Sequence, residues 1–147
     1  MIMNSREIVS NWLADRVSGA TLDDDGIAGL EADNGNIIML EVPENAQNCH
    51  ISSPAMALPE NEPVAGLFAA LELNRYGRPL GGCWLAWDPD IEMLMLCFNL
   101  YIPTSDIVAF NNTLDNFAAA LKLVQSSFNE EQLIEIRTDS AAHFELA

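Results

Sequence analysis

The feature that most constrains this sequence is the run Ile91 to Ile102, in which both faces of one extended segment are apolar. Side chains alternate along a strand, so Met93, Met95, Cys97 and Asn99 fall on one face and Leu94, Leu96, Phe98 and Leu100 on the other. Such a strand needs cover on both sides. The run carries Glu92 and Asn99 and is far shorter than the ~20 residues of a membrane-spanning helix, so the cover must be protein. A chain of 147 residues suits one compact domain. The helices legible elsewhere in it cannot easily cover both faces alone, and a dimer interface or a bound polypeptide is the economical complement.

The other elements follow from spacing and caps. Asn4-Ser5-Arg6-Glu7 resembles a capping box, and Ile8, Val9, Trp12, Leu13, Arg16 and Val17 then form one helical stripe that Gly19 ends. Ile27 to Ala32 and Asn36 to Val42 read as a hairpin around Asp33-Asn34-Gly35, with Ile27 and Gly29 on one face and Ala28 and Leu30 on the other. A third strand is expected from Asn48 to Leu58, with Pro54 marking a bulge or an edge position because proline cannot donate to the ladder.

Pro63 opens a second helix through Val64, Leu67, Phe68 and Leu71, ended by Gly77 and Pro79. Cys83 to Trp87 and Ile91 to Ile102 are strands joined by Asp88-Pro89-Asp90. Behind Thr104-Ser105-Asp106, the residues Ile107, Phe110, Leu114, Phe117, Leu121, Val124 and Phe128 define a third helix. The order helix, three strands, helix, two strands, helix predicts an α+β fold with helices packed on an antiparallel sheet. Residues 1–136 are expected to form a single domain, with a frayed tail over residues 137–147.

Charge narrows the partners. Twenty-two acidic residues against 6 Lys plus Arg give a net charge of −16. Nucleic acids and anionic membranes, which need clustered cations, are excluded as primary partners. A basic or amphipathic polypeptide is attracted instead. Three cysteines without a CxxC pair, and no signal-like N-terminus, predict a reducing cytoplasmic setting.

Catalytic readings fare poorly. Asp23-Asp24-Asp25-Gly26 misses both anchors of a calcium loop, since Thr21 would stand at the first ligand position and Ala32 where a bidentate Glu is needed. Cys49 and His50 are adjacent in a strand and point to opposite faces, which argues against a thiol nucleophile with its base. Asp88 with Asp90, and Glu60 with Glu62, are the chance carboxylate pairs of an acidic chain. No catalytic set, metal or cofactor is expected. Trp84, Trp87, Met93 and Met95 are each ordinary core candidates, yet together they form an adaptable apolar set suited to a polypeptide partner.

The stretch Leu67-Phe68-Ala69-Ala70-Leu71-Glu72-Leu73-Asn74, then Gly81-Gly82-Cys83-Trp84-Leu85-Ala86-Trp87-Asp88, then Leu94 to Ile102 and the helix through Leu114, Phe117 and Leu121, resembles class I type III secretion chaperones, the Tir-chaperone-like family. By element order the resemblance covers nearly the whole chain. It implies a small acidic bacterial cytoplasmic homodimer that binds the N-terminal segment of a secreted effector without ATP. It further implies dimer contacts at Phe68, Leu71, Trp84 and Ala86, and effector contacts at Ile8, Trp12, Ile38, Leu40 and Ile51. The secretion apparatus ATPase is a further partner on this reading. Two alternatives stand beside it: a regulatory protein of the same fold that holds a small regulator of secretion genes, and a small carboxylate or cysteine enzyme.

Overall fold

A computed structural model describes residues 3–32, 35–75 and 79–128. The elements are α1 (Ser5–Arg16), β1 (Ile27–Glu31), β2 (Ile37–Glu41), β3 (Asn48–Met56), α2 (Pro63–Leu73), β4 (Trp84–Asp88), β5 (Met93–Tyr101), a 3-10 turn (Ile102–Thr104) and α3 (Ile107–Ser127). One five-stranded sheet runs in the order β1-β2-β3-β5-β4. The α+β order expected from the sequence is the order observed.

Two compact units divide the chain: Met1–Ser53 with Cys97–Ala118, and Pro54–Leu96 with Ala119–Ala147. In the first, α1 starts with the expected capping box. The Glu7 N–H donates to Asn4 Oδ1 at 2.9 Å and the Asn4 N–H donates to Glu7 Oε2 at 3.2 Å. The helix stops at Arg16 rather than at Gly19, because Val17 already has extended backbone. Val9 and Leu13 are its fully buried positions, and Trp12 packs on Phe110 with ring centroids 5.4 Å apart.

Arg6 ties α1 to the start of the hairpin. Its guanidinium donates to the carbonyls of Val42 at 2.8 Å, Asp24 at 3.2 Å and Asp25 at 3.0 Å. Gly26 makes room for this clamp: its φ is +81°, and a Cβ there would overlap the Val42 carbonyl and the Arg6 side chain. The acidic run rejected as a calcium loop is therefore a turn whose backbone oxygens are taken by arginine. β1 pairs β2 antiparallel from Ile27↔Glu41 to Glu31↔Ile37, while Asp33 and Asn34 of the expected turn lie outside the described residues.

Pro54 sits in a strand that is central in sheet order, not at an edge. The β2–β3 register runs Met39↔Ser52, Leu40↔Ile51 and Glu41↔His50, so β2 has left the ladder before Pro54. The Ser53 hydroxyl instead donates to the Ile37 carbonyl at 2.7 Å. The missing proline N–H is thus placed where β2 asks for none.

In the second unit, α2 ends at Leu73 with Asn74 as its cap, ahead of the expected Gly77, which lies outside the described residues. Its buried positions are Gly66, Ala69 and Ala70. β5 begins at Met93 rather than Ile91, because Ile91 and Glu92 belong to the turn after Asp88, and Glu92 has φ +54°. Along β5, Leu94, Leu96 and Leu100 are buried and Phe98 is half-buried, while on the other face Met93, Met95 and Cys97 are half-buried and Asn99 is exposed, so one face is the better covered.

α3 is capped by Asp106, whose Oδ1 accepts from the Ala109 N–H at 2.7 Å. The expected stripe from Phe110 through Phe128 is buried throughout. The tail expected over residues 137–147, and the domain's end at 136, lie outside the described residues.

Arg6→Ala removes three charge-assisted bonds to backbone carbonyls and should lower stability by about 1.5–3 kcal/mol. An unchanged urea midpoint in this variant would show that the clamp contributes nothing to the fold.

Candidate polypeptide-binding surfaces

An open sheet has two edges, and each strand there turns alternate N–H and C=O groups away from its neighbour. On β1 the even positions face β2, since Val42 N–H donates to the Gly26 carbonyl and Ala32 N–H to the Asn36 carbonyl, both in line with the register. Ile27, Gly29 and Glu31 therefore face outward. Asp23 takes the first of these: its N–H donates to the Ile27 carbonyl at 2.8 Å and its Oδ1 accepts from the Ile27 N–H at 2.9 Å. Gly29 and Glu31 are exposed and left as a short open edge.

A cavity of about 380 Å³ lies behind that edge. Leu30, Ile38, Leu114 and Ala118 give it an apolar wall. Arg16 lies at its border, pairing with Asp115 at 2.7 Å and donating to Asn111 Oδ1 at 3.1 Å. The chemistry on offer is a strand's worth of backbone bonds beside a place for one apolar side chain. A second cavity of about 540 Å³ lies between the start of α1, the β2–β3 loop and the 3-10 turn, with Met3, Ile8, Pro43 and Ile102 among its lining.

The second unit carries a different surface. Val64, Leu67, Phe68 and Leu71 project outward from α2, with Phe68 at 61% and Leu71 at 66% exposure, while the small Gly66, Ala69 and Ala70 face inward. Trp84 at 38% and Trp87 at 43% add aromatic area on β4. A close approach explains the inversion: a Cβ at Gly66 would meet Leu58 at 2.8 Å and Pro59 at 3.0 Å. Bulk fits only on the outer side.

The expected dimer residues Phe68, Leu71 and Trp84 are exposed and Ala86 is half-buried. The expected effector residues divide. Ile8 is half-buried and lines the larger cavity, and Trp12 is half-buried against Phe110. Ile38, Leu40 and Ile51 are buried at 4%, 0% and 1% exposure, so these three expected effector contacts lie in the core of the lone chain. Alternation puts them on the covered face of the sheet; of the three, Ile38 reaches the wall of the smaller cavity. The opposite face shows Ile37 and Met39, which close over Gly29 at 3.5 Å from where its Cβ would be. The sequence marked Arg16 and Gly29 only as parts of the α1 stripe and of β1, and assigned Glu31 and Asp115 no role in a site. An exposed glycine in a branched apolar strand was the available signal.

Nucleophilic chemistry has little support at the cysteines. Burial pushes the Cys49 thiol up to about 12, only partly offset by a backbone hydrogen bond involving Glu41, and burial also raises Cys97. His50 turns away from Cys49 and meets the Asn99 side chain. Among the described residues, no group of three or more His, Cys, Asp or Glu side chains could hold a metal ion, and no helix is long and apolar enough to cross a membrane.

The sequence pattern of the Tir chaperone protein (CesT) family matches residues 16–125. The chain belongs to this family. No curated protein matches it. Solved structures with its fold include a chain of the heterodimeric ExoU–SpcU complex from the type III secretion system of Pseudomonas aeruginosa, 21% identical, covering 80% of this chain and 95% of that one with a TM-score of 0.64. A chain of the ExsC–ExsE complex is 17% identical over 84% of this chain and 96% of that one, with a TM-score of 0.70. A chain of the HopA1–SchA chaperone–effector complex is 10% identical over 82% and 91%, with a TM-score of 0.64. The Tir chaperone pattern spans both surfaces, from Arg16 at the smaller cavity to the outward stripe of α2 and most of α3.

The Cys49 shift has a pH consequence. The folded thiol holds its proton above its ordinary value of 9.0, so between about 9 and 12 the folded state binds more protons than the unfolded one. Stability from this group is whole below pH 9 and is lost as pH rises toward 12. Wild type should therefore lose more stability than Cys49→Ala over that range in chemical denaturation, and parallel curves would count against a buried thiol.

Proposed function

We propose that this Tir chaperone family protein is a cytoplasmic type III secretion chaperone that binds the N-terminal chaperone-binding segment of a secreted effector and keeps it soluble, extended and secretion-competent. Family membership supports the class of function. The observation that carries the mechanism is the short open edge at Gly29 and Glu31 with an apolar cavity behind it. An extended effector segment adds as a strand along β1 and seats one apolar side chain in the cavity. No covalent step, cofactor or metal is needed, so the protein acts by binding and not as an enzyme.

The outward stripe of α2 with Trp84 is read as the homodimer face, with Phe68 and Leu71 as its anchors. A net charge of −16 keeps copies with such patches soluble and draws basic segments of a partner at a rate that salt reduces. Hand-over to the secretion apparatus ATPase completes the cycle on this reading.

Capture of the tagged chain from its native cells under secretion-inducing growth, with mapping of the bound segment, tests the function. One secreted protein held by its N-terminal region is the expected result; a small cytoplasmic regulator would replace the escort role with a regulatory one. Glu31→Pro removes one outward N–H and leaves the β2 ladder intact, so it should weaken the captured partner about tenfold or more with the thermal midpoint nearly unchanged. Full affinity in that variant would rule out strand addition at β1. Phe68→Glu with Leu71→Glu should sediment as a monomer at concentrations where the wild type is dimeric.

A further inference from the structure

We propose that Asn74 acts as a surrogate strand that closes the outer edge of β4 at Leu85, so that strand pairing with another chain is favoured at β1. β4 is the last strand in the sheet order, and its outer side would ordinarily offer free backbone groups. The Leu85 N–H donates to Asn74 Oδ1 at 2.7 Å and Asn74 Nδ2 donates to the Leu85 carbonyl at 2.9 Å. A residue of a neighbouring antiparallel strand makes the same exchange of two bonds with its opposite number. One primary amide reproduces it because it carries a donor and an acceptor side by side.

The rest of the edge supports this reading. Two residues earlier, the Cys83 N–H donates to the Leu80 carbonyl at 3.1 Å, so that amide is also taken, and only the outward position at Trp87, next to the β4–β5 turn, lies beyond the reach of these contacts. Asn74 is held in place by its own backbone, whose N–H caps α2 on the carbonyls of Ala70 and Glu72. A single residue therefore ends the helix and closes the sheet edge at Leu85. Asp23 treats β1 differently: it takes Ile27 alone and leaves Gly29 and Glu31 open. It follows that two copies meeting through the exposed side chains of α2 and Trp84 do not pair their β4 strands at Leu85. This inference does not depend on the partner's identity and stands or falls apart from the chaperone reading.

Site-resolved hydrogen exchange on the full chain tests it. In the wild type, the Leu85 amide should exchange slowly, like the sheet interior, while the amides of Gly29 and Glu31 exchange fast. Asn74→Ala should speed Leu85 exchange about tenfold or more with β5 amides unchanged. Raising the concentration of that variant should then restore Leu85 protection and increase its sedimenting mass beyond the wild type, as opened edges pair copy to copy. A merely structural role would give no recovery with concentration. Leu85 exchange as fast as Gly29 in the wild type would overturn the proposal even if Asn74→Ala failed to fold. Unchanged protection in the variant, or loss of protection with no recovery, would overturn it too.

Discussion

Unpaired backbone groups at the two ends of an open sheet are the constraint on which this structure turns. A strand edge exposes a row of donors and acceptors that any other extended chain can use. Here both edges are met by side chains of the Asx type. Asp23 satisfies the first residue of β1, Asn74 satisfies Leu85 in β4, and the gap left at Gly29 and Glu31 lies over an apolar cavity.

Cation scarcity shapes the same region. The chain has 6 Lys plus Arg, and two of the arginines hold α1 in place. Arg6 spends its donors on three backbone carbonyls, and Arg16 spends its own on Asp115 and Asn111 at the cavity border. Each fixes α1 against a neighbour in its own unit. Among the described residues no Asp or Glu is buried, so their charge faces solvent and opposes self-association of exposed apolar side chains.

The hydrophobic periodicity of α3, the capping box of α1 and the β1–β2 hairpin were legible because each rests on residues close in sequence. Asn4 reads Glu7 three positions away, and Phe110, Leu114, Phe117 and Leu121 share a face by helical geometry alone. Alternation also separated Cys49 from His50 correctly. It could not say which parity of β2 and β3 faces inward, and Ile38, Leu40 and Ile51, expected as effector contacts, are buried in the core. The same ambiguity in α2 was settled by Gly66, which presses close to Leu58 and Pro59 and turns the bulky stripe outward.

By itself, the sequence determined the element order, the α+β class, the absence of cation clusters that a nucleic-acid partner would need, and a strand with apolar residues on both faces. Those properties depend on composition and on spacings of one to four residues. Tertiary structure decided which face was covered, where proline could sit in a central strand, and which sheet edge remained open. Each depends on groups far apart in the chain, such as Arg6 with Val42, Ser53 with Ile37 and Asn74 with Leu85. A hydrogen bond between distant residues has no period in the sequence, because it exists only once packing has brought its donor and acceptor together.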